Sequence, residues 1–317
     1  MAEPIAATAL GIEALLGWPP RIHALIGHPV GLFANVIGVC DRRLNRPDRS
    51  DRHRRIAGIA AMVLLIALTA CVVALAEAGV RTLAGAWAWP VLALLAWPAM
   101  AARSLDDHVR PILSALEAGD LPAARRAVGM IVGRDTAELG EAGVARAAIE
   151  SLAESFCDGV VAPLLWLVLL GLPGAWTLKA INTADSMIGH REEPYRAYGW
   201  AAARIDDVAM LAPARLSALL LCLAGGGGWS TMVRDHGLHA SPNAGWPEAA
   251  MAGALGVRLA GPVAYDGLLA AKPWIGKDGR EARPQDLRRA LAVYRRACAV
   301  LGAIALMVTV GVAAWPA

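Results

Sequence analysis

The sequence predicts an all-α, polytopic integral membrane protein with about five hydrophobic spans, in a range of four to six. Three observations carry that prediction. Of 317 residues, 57% are hydrophobic and 18% charged, with a mean hydropathy of +0.47, whereas soluble domains carry roughly 25% charged residues. The apolar residues also collect in uncharged runs: Ile56 to Ala76, Thr82 to Ala102, Gly159 to Leu178, Leu216 to Val233 and Ala297 to Ala317. A spanning helix needs about 20 such residues. Finally, the runs show almost no polar face at helical period, as core helices of a soluble bundle would.

The whole chain, 1–317, reads as a single membrane-embedded domain. Residues 1–55 hold a His28-Pro29-Val30 motif and then seven arginines between Asp41 and Arg55. Such a cluster beside a span is retained in the cytoplasm, and anionic lipid headgroups suit it better than nucleic acid, since no aromatics are interleaved. Residues 56–102 predict a helical hairpin in the membrane. Residues 103–158 predict a cytoplasmic helical segment, with a helix ending near Gly119, Pro122 opening the next, and Asp135 or Thr136 capping a third. Residues 159–233 hold membrane segments around a polar loop, Lys179 to Asp207. Their first run contains Pro163, Gly171, Pro173 and Gly174, which leaves a broken or re-entrant helix open beside a clean span. Residues 234–296 are polar and turn-rich, with a small-residue helix from Glu248 to Leu259. Residues 297–317 form a C-terminal span.

Cys40, Cys71, Cys157, Cys222 and Cys298 are scattered without C-x-x-C spacing, so neither a disulfide framework nor a zinc site is expected. No cleavable export signal is expected either. The P-loop, G-x-S-x-G and H-E-x-x-H motifs are absent. Charge therefore carries the functional signal. Glu150, Glu154 and Asp158 stand at i, i+4 and i+8, one face of a helix. Like charges at that spacing repel, so the stripe is either fully solvated or organised around a cation such as Mg²⁺. Lys179, Asn182 and Asp185 form a second group with Arg204, Asp206 and Asp207, and Arg134-Asp135-Thr136 a third. Charges near bilayer depth tend to be functional.

Several strings go further. MIVGRDT (Met130 to Thr136), ARAAIESLAES–DG (Ala145 to Gly159), KAINTADSMIGH (Lys179 to His190) and YGWAAARIDD–PARL (Tyr198 to Leu216) resemble the adenosylcobinamide-phosphate synthase family of cobalamin biosynthesis, CobD/CbiB. So do HPV, RSLDDHV (Arg103 to Val109), SPNAGWPEAAMAGALGVRL (Ser241 to Leu259) and KPWIGKDGR (Lys272 to Arg280). The resemblance runs in order from about Glu13 to the C-terminus. There are departures. Glu13 stands for a usual Asp, Gly31 for an Arg after HPV, Phe156-Cys157 for Asn-Thr, and Ala260 for a common Gly.

The resemblance implies a membrane ATP-dependent amide ligase. It would join adenosylcobyric acid to (R)-1-amino-2-propanol phosphate, or to the free amino alcohol, giving adenosylcobinamide phosphate or adenosylcobinamide. ATP and Mg²⁺ are the implied cofactors, the lipid bilayer and other cobalamin-assembly enzymes the implied partners, and a bacterial inner membrane with a cytoplasm-facing site the implied location. On this reading Glu150, Glu154, Asp158 and Asp185 would hold Mg²⁺. Arg134, Lys179, Asn182 and Arg204 would contact phosphates, and Asp206 or Asp207 would serve as base. The alternatives are an Mg²⁺-dependent prenyl or phospho-alcohol transferase, which predicts a lipid substrate without ATP, and a transporter or scaffold, which predicts no turnover.

Overall fold

The computed structural model describes residues 4–265 and 268–314. In chain order the helices are α1 (Ile5–Leu16), α2 (Pro20–Ile26), α3 (Val30–Leu44), α4 (Asp51–Ala84), α5 (Ala88–Ala96), α6 (Ala102–Glu117), α7 (Leu121–Gly129) and α8 (Glu141–Phe156). A π-turn (Cys157–Val161) leads into α9 (Ala162–Ile188), followed by α10 (Tyr195–Tyr198), α11 (Trp200–Ala209), α12 (Leu211–Gly225), α13 (Trp229–Asp235), α14 (Gly245–Leu255) and α15 (Pro284–Ala314). Two short antiparallel pairs lie before α15: β1 (Leu259–Ala260) with β4 (Trp274–Ile275), and β2 (Val263–Tyr265) with β3 (Leu268–Ala270).

The protein is thus an all-α membrane protein. Among the described residues, four helical stretches are long and apolar enough to cross a bilayer: Pro20–Leu44, Asp51–Glu117, Glu141–Ile188 and Pro284–Gly311. The bent pair Trp200–Ala209 and Leu211–Gly225 makes a fifth if counted as one. On α4, Ile56, Ile59, Val63, Leu64, Leu68, Val72 and Leu75 are all exposed. A contiguous face of that size is what lipid covers. All five cysteines are free.

Two predicted spans are rearranged. Thr82 to Ala102 is not one helix: Gly85, at φ 53°, ends α4, and α5 is nine residues. At about 1.5 Å per residue, α5 reaches roughly half the bilayer core. Leu216 to Val233 is likewise divided, because Gly226 and Gly228 adopt φ of 70° and 97° and separate α12 from α13. The small-residue helix ends at Leu255 rather than Leu259, stopped by Gly256 in the left-handed region. Pro122 stands at the start of α7 as expected, with Asp120 capping the helix through the Ala123 N–H, but the residue capping α8 is Gly140, not Asp135 or Thr136.

The chain forms two compact units: Met1–Ala101, Ala162–Met210 and Ala305–Ala317 in one, Ala102–Val161 and Leu211–Ile304 in the other. In the first, Ile37, Met62, Leu65, Ile181, Ile188 and Tyr198 make a core. Gly58 lets α4 touch the Tyr198 carbonyl, where a Cβ would sit 1.9 Å from the oxygen. Arg54, buried, bonds Asn45 Oδ1 and Glu193 at 3.0 Å each and donates to the Pro194 carbonyl. That ties down the loop before α10.

In this unit α9 reverses. Gly171 has φ 69° and ψ −161°, non-helical values inside an otherwise helical stretch. Eight residues of straight helix would separate Trp166 from Gly174 by about 12 Å. Instead a Cβ on Gly174 would lie 2.5 Å from the Trp166 carbonyl oxygen. The two arms therefore pack against each other as a hairpin. Trp166 Nε1 donates to Ala209 O at 3.2 Å, and Trp176 Nε1 to Leu95 O at 3.1 Å, fixing one arm each.

In the second unit, α14 is buried along its length. Its small residues allow close backbone approach: a Cβ on Gly253 would meet Gly228 Cα at 2.7 Å. Phe156 and Tyr294 pack edge-to-face at 5.7 Å, and Tyr294 OH donates to the Ala102 carbonyl at 2.5 Å.

Candidate functional site

The second unit encloses a polar cavity of about 180 Å³ lined by Ile131 to Arg134, Glu150, Ser151, Glu154, His239, Glu248, Ala260 and Lys272. Helix α8 supplies Glu150 and Glu154 one turn apart. Glu248 comes from the first turn of α14 and His239 from the segment before it. The Met130 to Thr136 segment is held over α8 by Ser151 Oγ, which donates to Ile131 O at 2.9 Å.

Glu150 is fully engaged. Its Oε2 accepts from Arg134, and its Oε1 accepts from the Ala260 N–H at 2.7 Å. Arg134 and Glu150 are both largely buried, with side-chain exposures of 10% and 7%. The Ala260 amide reaches Glu150 from an unusual backbone: Ala260 is a non-glycine residue at φ 57°, at a position where the resembling sequences commonly carry glycine. Trp274, paired opposite in β4, carries the Arg146 and Arg258 guanidinium groups over its ring at 4.9 and 4.4 Å.

Beside this pair, ligand atoms of Glu154, His239 and Glu248 all lie within 4.8 Å of one another. Glu248 is 3% exposed, and its Oε2 finds no hydrogen-bond partner among the described residues. Burial pushes the Glu248 carboxyl well above the usual carboxylate range, and the charges of Glu154 and Glu150 push it the same way. His239 is held below its ordinary value by burial and then by Lys272, so its imidazole is neutral. Its Nδ1 accepts from the Ser241 N–H at 3.0 Å, which leaves the ring proton on Nε2. That Nε2 lies 3.7 Å from Glu248 Oε1 and 3.9 Å from Glu154 Oε1. Two carboxylates placed this close need a proton or a cation between them. The donor set suits a divalent cation.

Asp158 does not line this cavity and is exposed. The π-turn starting at Cys157 adds a residue to the helical turn, which rotates the downstream residues by roughly 100° relative to a continuous α-helix. The i, i+4, i+8 stripe therefore holds for its first two members only.

The other predicted residues cluster in the first unit. Lys179, Asn182 and Asp185 lie on the second arm of α9, and Arg204, Asp206 and Asp207 on α11. Asn182 Nδ2 donates to Asp206 Oδ1 at 2.5 Å, and Arg204 pairs with Asp207 at 2.9 Å. Asp185 lies within electrostatic reach of Asp207. His28 has a turn role, its Nδ1 accepting from the Val30 N–H at 3.3 Å.

Three residues of the cavity, His239, Glu248 and Lys272, are not among the residues selected from the sequence. One signal for Glu248 is visible there: it is the only formal charge between His239 and Arg258.

A multi-span helical protein with carboxylates, a neutral histidine and two cations around a polar cavity belongs to the class of membrane proteins with a chemically equipped buried site. Comparison with known proteins narrows this. Residues 6–294 match the family model described as CobD/Cbib protein. The chain is 48% identical over 307 residues to the cobalamin biosynthesis protein CobD of Rhodobacter capsulatus, covering 94% of this chain and 96% of that one. It is 45% identical over 314 residues to the CobD protein of a Sinorhizobium species, covering 96% and 97%. With that of Geobacter metallireducens it shares 44% over 285 residues, 87% and 86%. The chain belongs to the CobD/CbiB family of cobalamin biosynthesis proteins. No solved structure matches it.

Proposed function

We propose that this protein is the ATP-dependent amide ligase that condenses a propionate carboxylate of adenosylcobyric acid with the amine of (R)-1-amino-2-propanol phosphate or of the free amino alcohol. The observation that carries this reading is the polar cavity of the second unit, where Arg134 and Lys272 face Glu154 and Glu248 within a family of corrinoid-making membrane proteins.

The chemistry asks for what those residues offer. A carboxylate is a poor acyl donor. In the proposed first step its oxygen takes the γ-phosphoryl group of ATP, giving an acyl phosphate and ADP. Arg134, steered by Glu150, and Lys272 would face the phosphoryl oxygens and stabilise the charge that moves between them. Mg²⁺, when bound, would neutralise the same oxygens; among the predicted metal ligands Glu150 and Glu154 line the cavity, and Asp158 and Asp185 would act elsewhere. In the second step the amine, freed of its proton by a base, attacks the acyl carbon and phosphate leaves. Asp206 or Asp207 as base and Lys179, Asn182 and Arg204 as phosphate contacts remain the roles proposed for the polar group of the first unit, to be tested separately by substitution there. The bacterial inner membrane and a cytoplasm-facing site follow from the arginines of residues 41–55 and the cytosolic supply of ATP.

The test combines detergent-purified protein, Mg-ATP, adenosylcobyric acid and aminopropanol phosphate, followed by mass spectrometry of the corrinoid. A corrinoid heavier by one aminopropanol-phosphate unit, formed only with ATP, is the expected result. No product from well-folded protein with either amino alcohol would overturn the reading.

A further inference from the structure

We propose that Glu154 and Glu248 bind one hard divalent cation of the Mg²⁺ class through oxygen alone, with His239 holding the two carboxylates from outside the coordination shell. The catalytic purpose of this site rests on the ligase reading; its existence does not.

Three observations converge on it. The Glu154 and Glu248 oxygens and the His239 nitrogen form one group within 4.8 Å. Glu248, 3% exposed, presents an Oε2 that no described donor satisfies. A carboxylate oxygen left bare in a protein interior is costly, and a cation in the adjoining cavity would remove that cost. Glu150 is the less available ligand because each of its oxygens already accepts a hydrogen bond, from Arg134 and from the Ala260 N–H. The carboxyl groups left to meet a cation, which would displace the proton that burial favours, are therefore Glu154 and Glu248.

The histidine decides which metal. Its Nδ1 lone pair is taken by the Ser241 N–H, so Nε2 keeps its proton. A protonated ring nitrogen has no lone pair to give a metal, which removes the ligand that borderline transition metals such as Zn²⁺ favour. What Nε2–H can do is donate toward Glu154 and Glu248, from 3.9 and 3.7 Å, closing on them as they tighten around an ion. Hydrogen-bonded ligating carboxylates of this kind are the usual outer shell of a metal site. Two carboxylates, a cavity of about 180 Å³ and room for retained water match the habits of Mg²⁺. Arg134 and Lys272, which line the same cavity, then leave the loaded site positive, ready for phosphate oxygens.

Mn²⁺ serves as the probe, added to the full-length protein in detergent without nucleotide and followed by electron paramagnetic resonance. One saturable site, displaced by Mg²⁺, is expected. Glu154→Gln and Glu248→Gln should each weaken it by more than about tenfold. Electron spin echo modulation should show no directly bound ¹⁴N. Folding of the variants is checked by gel-filtration profile, and Glu248→Asp, which keeps the charge, should retain weakened binding. Absence of saturable Mn²⁺ binding, or unchanged binding in Glu248→Gln, would overturn the site. Strong ¹⁴N coupling that vanishes in His239→Gln would overturn the oxygen-only assignment. Cation binding without corrinoid product would leave the site standing and remove the ligase reading, whereas product from a chain that binds no Mn²⁺ would do the opposite.

Discussion

Replacing Gly171 by alanine tests the reversal of α9, on which the architecture of the first unit depends. At φ 69° and ψ −161° the residue occupies a region that is essentially closed to side chains, where occupancy by a non-glycine costs about 1–3 kcal/mol. A Cβ there would also stand 3.1 Å from Glu77 Oε2, a contact relieved by a few tenths of an ångström of carboxylate movement. The backbone term therefore sets the magnitude, about 1–3 kcal/mol of lost stability. The matching control is Gly79→Ala on α4, where a Cβ meets nothing within 4 Å. There the same chemical change should leave stability equal or raise it by up to about 1 kcal/mol, through helix propensity. Both variants would be unfolded by titrating sodium dodecyl sulfate into mixed micelles, with tryptophan fluorescence as the signal, since Trp166 and Trp176 flank the break. A Gly171→Ala protein within about 0.5 kcal/mol of the parent, the range of an inconsequential surface change, would refute the reversal.

Four further outcomes rest on the same geometry. Glu150→Gln strands the Arg134 guanidinium in a largely buried place and should cost about 3–5 kcal/mol in the same titration; parental stability would mean that the pair is solvated. Gly58→Ala drives a Cβ to 1.9 Å from the Tyr198 carbonyl oxygen, which backbone cannot easily yield, so a loss of at least about 1–3 kcal/mol is expected by thermal unfolding. Ala260→Gly removes a left-handed alanine at φ 57°, and should stabilise by about 1 kcal/mol, provided the Glu150 bond persists. Asp235 is held below the usual carboxylate range chiefly by the Arg234 hydrogen bond, so the folded state favours its charged form. The stabilisation is complete above the ordinary carboxylate pKa and is lost as pH falls through the lower folded value. Protection of the Gly276 N–H, which donates to Asp235 at 2.7 Å, should track that acid-side course by hydrogen exchange, and Asp235→Asn should flatten it.

The fold class was legible because the bilayer writes it in composition: runs without charge have few other homes. The α9 reversal was legible only in part: Gly171, Pro173 and Gly174 in one apolar run are expensive for a straight helix, which marks a break without deciding between a kinked span and a turn back. The placement of individual spans was less so. Thr82 to Ala102 has the length and hydropathy of a span, but Gly85 and Pro98 divide it into pieces too short to cross alone. Hydropathy reports how well a stretch tolerates lipid, and backbone continuity is a separate property set by a few residues. The same holds between α12 and α13, where consecutive glycines interrupt an uncharged run.

The site divides along a similar line. Glu150 and Glu154 were found together because local helical spacing places them one turn apart, and helical spacing is the part of geometry that a sequence states directly. Asp158 left the stripe because of a π-turn, and nothing in the residue types around Cys157 announces the extra residue. Glu248 and His239 were missed because they meet Glu154 only through the packing of α14 against α8, a long-range contact with no local periodicity to betray it. Yet Glu248 stands alone as a charge in a helix of small apolar residues. Burying such a carboxylate is costly enough that a chain keeps it only where a proton, a cation or a substrate compensates. An isolated acid in an otherwise uncharged, small-residue helix is therefore the sequence feature that points to a site when spacing cannot.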